Sequence, residues 1–289
     1  MTSYFAEPEF AGLFSSSRRE TAATTASQII GLAAISLGER VIDLCCGPGL
    51  VSQLLAERVG PGGEVIGVDA SAAMIELTRQ NEAARNCRFI EGDAYALPSL
   101  VPTPGDCVVA TSAWQNFLFD KERIVPAVRA VLRPSGRFAF DVRLREAGDA
   151  AAAGPTMARL QEQVIALLRE EHGDVALSEE AAASPFGAAG RDWRRYGRED
   201  VDRDVVLMEA SGFRLAKREE VEGGPFGGAW YERQRWRVDY WLARVAPELS
   251  EEARASVLDR VAAEARPRLS SMLQQVVTVY IVMEATPLR

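Results

Sequence analysis

The segment VIDLCCGPGL (residues 41–50) decides the fold because it joins an apolar run to a glycine turn. Residues 39–45 are predicted to form a short buried strand that ends at the Gly-Pro-Gly turn. A helical pattern follows at once, with leucines repeated on one face of residues 50–60. Glycines between a strand and a helix let the backbone approach a ligand closely. In an open parallel sheet this first turn is a site for small-molecule binding.

The alternation of apolar strands and amphipathic helices continues along the chain. The strands of the first half are continuously apolar, which is typical of a parallel sheet covered by helices on both faces. The predicted fold class is therefore α/β, with a seven-stranded, mostly parallel, Rossmann-like sheet. The predicted strands cover residues 39–45, 64–69, 87–92, 106–112, 136–142, 212–221 and 276–285. The predicted helices cover residues 20–37, 50–60, 71–86, 120–133, 155–171, 200–211 and a segment from about residue 250.

Two long segments interrupt the alternation. Their connections should leave from the carboxyl edge of the sheet, which also carries the glycine turn. We therefore expect both insertions to build a helical cap over the ligand. The predicted organisation is 1–144 for the N-terminal helices and the ligand-binding half, 145–198 for the first cap insertion, 199–221 for a core helix and strand six, 222–273 for the second cap insertion, and 274–289 for the final strand.

Composition narrows the class of partner. A net charge of −8 argues against a protein that binds a nucleic-acid backbone, and the Arg-rich stretch at 191–199 is short and interleaved with acidic residues. No apolar window is long enough for a membrane span, and residues 1–10 lack a signal-peptide pattern. The four cysteines form no C-x-x-C pair and there is one histidine, so no metal site is expected. We predict a cytoplasmic protein that acts on a small molecule.

Three aspartates lie at the ends of successive predicted strands. Asp43 stands four residues before the turn, Asp69 ends strand two, and Asp93 follows strand three. A carboxylate beside a pyrophosphate is electrostatically unfavourable, whereas one that faces an ammonium or sulfonium group is favourable. Ser52 also replaces the third glycine of the dinucleotide fingerprint. With Asp69 placed for ribose hydroxyls and Asp93 for an adenine amino group, the set fits S-adenosylmethionine better than NAD.

The segments around these residues resemble the class I S-adenosylmethionine-dependent methyltransferases, most closely the ubiquinone/menaquinone-biosynthesis type and its small-molecule relatives. The resemblance covers residues 25–142 well and residues 200–219 and 276–285 loosely, and it covers neither insertion. Ser135 departs from the family's L-K-P-G-G turn, where it replaces the first glycine. The matching segments are DLCCGPG (43–49), VDASAAM (68–74), EGDAYALP (91–98), DCVVATSAWQNF (106–117) and VLRPSGRFAF (131–140).

The resemblance implies a cofactor site along the carboxyl edge of strands one to four. The turn would line the methionine moiety, with Cys45 acting through its backbone and size and Ser112 near the methionine end. Asp69 would accept the ribose hydroxyls, Met74 would pack near the adenine, and Asp93 would meet the adenine edge. The predicted cofactor-binding residues are Asp43, Cys45, Gly47, Gly49, Asp69, Ala70, Met74, Gly92, Asp93, Ala94 and Ser112.

The sequence says less about the acceptor of the methyl group than about the cofactor. The loop after strand four should face the methyl group, so Trp114, Gln115 and Asn116 are candidates for acceptor binding. Trp230 and Tyr231, in the second insertion, would add aromatic surface to an apolar pocket. The alternative interpretation is that the aromatic residues of the insertions pack the cap onto the body.

The predicted reaction is an in-line displacement that transfers a methyl group to an aromatic, quinone-like or polyketide-type metabolite, as in secondary metabolism. An oxygen acceptor can also need a general base. His172 and Tyr4 are the candidates, against the alternatives of a surface turn and a disordered terminus. Three other functions stay open: S-adenosylmethionine-dependent cyclisation or decarboxylation, NAD-dependent oxidation, and a non-catalytic binding role. The acceptor atom and the oligomeric state are not indicated by the sequence.

Overall fold

The computed structural model divides the chain into two units. Unit 1 contains the sheet, and the described part of unit 2 contains helices only. The residues described are 6–80, 85–114, 120–144, 157–173, 196–222, 230–273 and 277–287. Unit 1 comprises residues 1–144, 196–221 and 277–289, and unit 2 comprises residues 145–195 and 222–276.

The sheet of unit 1 has seven strands in the order β3-β2-β1-β4-β5-β7-β6. Strands β1 to β5 run parallel, and β7 runs antiparallel to β5, which confirms the mostly parallel, Rossmann-like sheet. The chain order reverses between β1 and β4, where open α/β sheets bind ligands at the carboxyl ends of their strands. The strands are β1 (Arg40–Leu44), β2 (Glu64–Asp69), β3 (Cys87–Glu91), β4 (Gly105–Ala110), β5 (Leu132–Arg143), β6 (Phe213–Glu222) and β7 (Val277–Ala285).

Helices cover both faces of this sheet because alternate strand residues point to opposite sides. Ile42 packs in a cluster with residues of α5 (Lys121–Ala130) and α7 (Arg198–Ala210). Its neighbour Val41 packs on the other face, with residues of α1 (Pro8–Leu32) and α2 (Leu50–Val59). A short 3-10 helix, Ala94–Ala96, follows β3. The helices of unit 1 are α1 (Pro8–Leu32), α2 (Leu50–Val59), α3 (Ala72–Gln80), α4 (Leu97–Leu100), α5 (Lys121–Ala130) and α7 (Arg198–Ala210).

Unit 2 has its own apolar core. Helices α6 (Met157–His172), α8 (Trp230–Val245) and α9 (Glu251–Leu273) pack through buried side chains that include Leu168 and Leu242. The helices predicted at 155–171 and from about residue 250 correspond to α6 and α9. Among the described residues, no helix is both long and apolar enough to cross a membrane.

Several element predictions differ from the structure; α4, for example, was not predicted, and α5 ends at Ala130 rather than at residue 133. The first helix begins at Pro8 rather than at residue 20, and Phe10 and Ala11 in its first turns are buried. Helix α8 was not predicted, since arginines interrupt its aromatic run. Strand β5 begins at Leu132 rather than at residue 136, because the Pro-Ser-Gly turn continues the strand through a register shift against β4.

Candidate functional site

The glycine turn after β1 has a left-handed backbone at three positions. The φ angles are +58° at Cys45, +54° at Gly47 and +77° at Gly49. A side chain at Gly49 would come within 2.9 Å of the Phe89 ring, so this glycine permits close packing inside the protein. A side chain at Gly47 would meet nothing within 4 Å. Gly47 is therefore the position where a ligand can approach the backbone.

Asp43, on β1 just before the turn, is completely buried. Its Oδ2 accepts a 2.6 Å hydrogen bond from the Ser52 hydroxyl, whereas its buried Oδ1 has no hydrogen-bond partner among the residues described. Burial raises the pKa of Asp43 to about 7; the bond from Ser52 lowers this pKa and the charge of Asp69 raises it further. A buried carboxylate oxygen without a donor is unfavourable. Asp43 is therefore suited to receive a cationic donor from a ligand.

Asp69 ends β2, and its carboxylate holds the glycine turn. Its Oδ2 accepts a 2.8 Å hydrogen bond from the Gly47 amide, and its Oδ1 accepts a 2.9 Å bond from the Ser71 amide. Burial raises the pKa of Asp69, while hydrogen bonds from the backbone, including that of Ala70, lower it. Each carboxylate oxygen can accept more than one hydrogen bond, so both can still accept bonds from ligand hydroxyls.

The segment after β3 lies beside the end of β2. The Gly92 amide donates a 2.9 Å hydrogen bond to the carbonyl of Asp69, and a side chain at Gly92 would come within 2.5 Å of a leucine of α4. The exposed Asp93 caps the 3-10 helix Ala94–Ala96, because its Oδ1 accepts a 3.0 Å bond from the Tyr95 amide. The structure thus brings the turns that carry Asp69 and Asp93 together.

The two cysteines of the turn are packing residues. Cys46 is 7% exposed, and its Sγ would lie 2.9 Å from a side chain added at Gly67. Burial raises the pKa of the Cys45 and Cys46 thiols far above their usual value, and the nearby carboxylates, including Asp43, raise it further. Both thiols are therefore protonated at neutral pH and are poor nucleophiles.

Helix α1 runs beside the carboxyl edge of the sheet. Ala11 packs on Met74 at the start of α3, and Arg18 contacts Ser112 in the loop after β4. Ala11 and Arg18 are seven residues apart, which in a helix corresponds to about 10 Å. Two strand spacings of ~4.8 Å cover about the same distance. Since α3 follows β2 and Ser112 follows β4, α1 contacts segments that follow the strands on both sides of β1. Met74 is 2% exposed, and its predicted adenine contact stays a prediction.

Ser112 lies at the centre of a charged group that the sequence did not indicate. Its φ is +55°, and its amide donates a 2.6 Å hydrogen bond to the buried Oδ1 of Asp141. Its hydroxyl oxygen accepts bonds from Arg18 at 3.1 Å and from Arg143 at 2.8 Å. Burial raises the pKa of Asp141, and the two arginines lower it. This arrangement fixes the loop after β4 and gives the edge of the sheet two positive charges.

Trp114 is placed as a core residue. It is fully buried against two phenylalanines of β5. Its Nε1 donates a 2.7 Å hydrogen bond to Asp204 Oδ2, and the same oxygen accepts bonds from Lys121 Nζ at 2.5 Å and from the Tyr196 hydroxyl. Burial lowers the pKa of Lys121, and the neighbouring Asp204 carboxylate opposes this effect. Trp114 thus links the loop after β4 to the core of unit 1, and its predicted contact with an acceptor stays a prediction.

The other predicted residues stay predictions. His172 ends α6 in unit 2, where its Nε2 lies 3.8 Å from the Glu171 carboxylate. Within the described residues, no group of histidine, cysteine or acidic side chains could hold a metal ion. The predicted residues outside the described part are Tyr4, Gln115 and Asn116, together with the side chains of Trp230 and Tyr231.

A family model described as a methyltransferase domain matches residues 35–196, which is more than half of the chain. The chain belongs to the class I S-adenosylmethionine-dependent methyltransferases. The resemblance stated from its motifs is thereby confirmed.

Curated relatives match this chain over a limited length. It is 40% identical over 111 residues to an arsenite methyltransferase of Halobacterium salinarum, which is 37% of this chain and 28% of that protein. It is 45% identical over 103 residues to a demethylmenaquinone methyltransferase of Lactococcus lactis, which is 35% of this chain and 40% of that protein. The chain therefore spans less than half of the length of these two relatives.

A solved structure agrees with the fold over nearly the whole chain. It is an S-adenosylmethionine-dependent methyltransferase of Geobacter sulfurreducens in complex with S-adenosylhomocysteine, with a TM-score of 0.53 and 13% identity. The match covers 91% of this chain and 90% of that chain. At this identity the likeness establishes the fold alone.

Proposed function

We propose that this methyltransferase transfers the methyl group of S-adenosylmethionine to a small-molecule acceptor. The observation that carries the proposal is the buried Oδ1 of Asp43, which has no partner among the described residues, beside the open face of Gly47. An ammonium or sulfonium group would compensate this carboxylate, whereas a pyrophosphate would add a like charge to it.

The remaining site residues fit the other parts of the cofactor. Asp69 would accept the ribose hydroxyls, since both of its oxygens retain acceptor capacity beside the Gly47 amide. Asp93 and Ala94 would border the adenine at the end of β3. When bound, S-adenosylmethionine supplies a methyl group on a positively charged sulfur, open to in-line attack by an acceptor. The protein's part is to align the two and to exclude water.

The proposed acceptor is an aromatic, quinone-like or polyketide-type metabolite. The demethylmenaquinone relative supports this class, and its match covers 35% of this chain. His172 and Tyr4 remain the candidates for a general base. We propose the insertions, and unit 2 with them, as the part that selects the acceptor.

Binding of S-adenosylhomocysteine tests the cofactor assignment. We expect this product to raise the melting temperature, because a ligand at 100 times its Kd stabilises a protein by about 2.7 kcal/mol. NADH at the same concentration should leave the melting temperature unchanged, and the reverse pattern would reject the cofactor.

Methyl transfer itself is tested with methyl-labelled S-adenosylmethionine and a host extract. The label should appear in a small molecule together with S-adenosylhomocysteine. Conversion of an extract metabolite while the label stays on the cofactor would instead favour cyclisation or decarboxylation.

A further inference from the structure

We propose that the Oδ1 atom of Asp204 is a subsite for a hydroxyl or amino group of the acceptor. This inference rests on the proposed function, because it assumes that an acceptor binds at the carboxyl edge of the sheet. Asp204 belongs neither to the predicted cofactor-binding residues nor to the two candidates for a general base named above.

All hydrogen bonds to the Asp204 carboxylate are made by one of its oxygens. Oδ2 accepts bonds from Trp114 Nε1 at 2.7 Å, from Lys121 Nζ at 2.5 Å and from the Tyr196 hydroxyl. Oδ1 has no hydrogen-bond donor among the residues described. Each oxygen of a carboxylate can accept about two hydrogen bonds, so Oδ1 keeps its acceptor capacity for a ligand.

The Oδ1 atom of Asp204 is also accessible from outside. The Asp204 side chain is 11% exposed. Within the described chain, Oδ1 is not one of the buried polar atoms that lack a partner, in contrast to Oδ1 of Asp43. Part of the exposed surface therefore belongs to this atom. The three donors on Oδ2 fix the rotation of the carboxylate, so Oδ1 is held in one direction before a ligand binds.

The residues that hold Asp204 come from segments expected to meet the acceptor. Trp114 lies in the loop after β4 and Lys121 begins α5, so both follow a strand at its carboxyl end, where ligands bind in this class of sheet. Tyr196 directly follows residues 145–195 of unit 2, which we propose as part of the acceptor-selecting region. The carboxylate is thus held by residues from both sides of that region.

The charges around Asp204 favour a neutral ligand group. The Lys121 ammonium lies 2.5 Å from Oδ2 and balances the charge of the carboxylate. The same ammonium lies 4.9 Å from the centre of the Trp114 ring and 4.4 Å from that of the Tyr196 ring. Asp204 therefore needs no cation from a ligand, unlike Asp43. A hydroxyl or amino group that donates to Oδ1 is the matching partner, and the bond to a charged acceptor is a strong one.

A group bound in this way could lose its proton to Asp204 during methyl transfer. The acceptor oxygen or nitrogen forms a bond to the methyl carbon, while the methyl–sulfur bond breaks and its electron pair stays on sulfur. The proton of the acceptor passes to Oδ1, so both the methylated product and Asp204 are neutral after the step. Asp204 is in this sense a catalytic residue.

The subsite is tested with 1-naphthol and 1-methoxynaphthalene, which share a ring system although only naphthol has a hydroxyl to donate. Calorimetry would measure both Kd values for the full-length protein at saturating S-adenosylhomocysteine. We expect naphthol to bind about tenfold to a hundredfold more tightly than its ether, as for a hydrogen bond to a charged group. Asp204→Asn should remove this preference, because the three donors hold the amide oxygen in the place of Oδ2 and leave an NH₂ group in the place of Oδ1.

Two control variants separate this role from a structural one. Asp202→Asn changes an aspartate of the same helix whose side chain is 62% exposed. Tyr196→Phe removes one donor to Oδ2 but leaves Oδ1 unchanged. Both should keep the preference for naphthol. An unchanged Kd of S-adenosylhomocysteine shows that Asp204→Asn is folded. If it is not, the double variant Lys121→Met, Asp204→Asn removes the ammonium together with the carboxylate, and Lys121→Met is its control.

Methyl transfer supplies a second measurement. With methyl-labelled S-adenosylmethionine and a host extract, the rate of label transfer by Asp204→Asn should fall by about a hundredfold or more, the usual contribution of a general base. Transfer by Asp202→Asn should be unchanged. An undiminished rate in folded Asp204→Asn would overturn the role of Asp204 as the proton acceptor.

The binding results decide about the subsite itself. A preference for naphthol that is present in the wild-type protein and in both controls, but absent from Asp204→Asn, would support it. No preference in the wild-type protein, an intact preference in Asp204→Asn, or an equal loss in Tyr196→Phe would overturn it. Failure of the wild-type protein to bind S-adenosylhomocysteine would instead reject the proposed function. The naphthol titration, repeated without this ligand, would then still decide about the subsite.

Discussion

At the scale of single residues, Asp43 connects cofactor binding to pH. Its pKa in the ligand-free fold is about 7, above its ordinary value of 3.8, because it is buried. The folded protein therefore holds a proton that the unfolded chain releases, and the stability due to this group declines as the pH rises from about 4 to about 7. A cationic ligand needs the ionised Asp43 carboxylate, so its affinity should rise as the pH rises.

We expect the Kd of S-adenosylhomocysteine to fall by about tenfold between pH 6 and pH 8, the change in the ionised fraction of a group with this pKa. Isothermal titration calorimetry at the two pH values measures it. Asp43→Asn, which cannot ionise, is the matched variant and should bind weakly at both. A Kd that is independent of pH in the wild-type protein would contradict the role of Asp43.

Asp69 acts on the same ligand through hydrogen bonds. Asp69→Ala removes the acceptor of the Gly47 and Ser71 amides as well as the proposed acceptor of the ribose hydroxyls. Since each charge-assisted bond contributes about 1.5–3 kcal/mol, affinity for S-adenosylhomocysteine should fall on the order of a hundredfold. Unchanged affinity by calorimetry, in a variant with the wild-type melting temperature, would be incompatible with this role.

At the scale of elements, Asp204 joins three segments of unit 1. It accepts hydrogen bonds from Trp114 in the loop after β4, from Lys121 at the start of α5 and from Tyr196, two residues before α7. Asp204→Ala would leave the Lys121 ammonium and the Trp114 indole N–H in a buried site without this acceptor. We expect a loss of about 3–5 kcal/mol in the free energy of unfolding, measured by denaturant titration.

The matched control for Asp204 lies on the same helix. Asp202 pairs with Arg218, but its side chain is 62% exposed. Asp202→Ala should therefore cost about 1 kcal/mol or less, as exposed ion pairs do. Equal losses in the two variants would show that Asp204 does not connect these segments.

Elements with a strong apolar pattern could be predicted from the sequence, and the others could not. Strands β1, β2 and β4 are mostly apolar and buried, so their places were correct. The first turns of α1 depend on contacts with α3, and α8 carries arginines among its aromatic residues. Such elements are stabilised by tertiary packing, which a single-sequence pattern does not record.

At the scale of the whole molecule, the positions of the three aspartates at one edge of the sheet could be predicted, because the carboxyl ends of parallel strands meet at the same edge. The hydrogen bond from the Gly47 amide shows that Asp69 lies beside the glycine turn, and the cofactor contacts of the three aspartates stay predictions. Arg18, Arg143 and the role of Ser52 were missed, since Arg18 and Ser112 are 94 residues apart and meet only in the fold. A serine in place of the third glycine was treated as a departure, whereas its hydroxyl supports Asp43.

Helix α1 lies entirely before residue 35, where the match to the family begins. A fragment cut at that match would retain the glycine turn and the aspartates but would lose the side chains that cover Met74 and reach Ser112. Expression boundaries taken from homology alone would therefore yield a protein without these contacts and with a newly exposed apolar face on α2. For this family member, the N-terminal extension belongs in any minimal version used for binding assays or crystallisation.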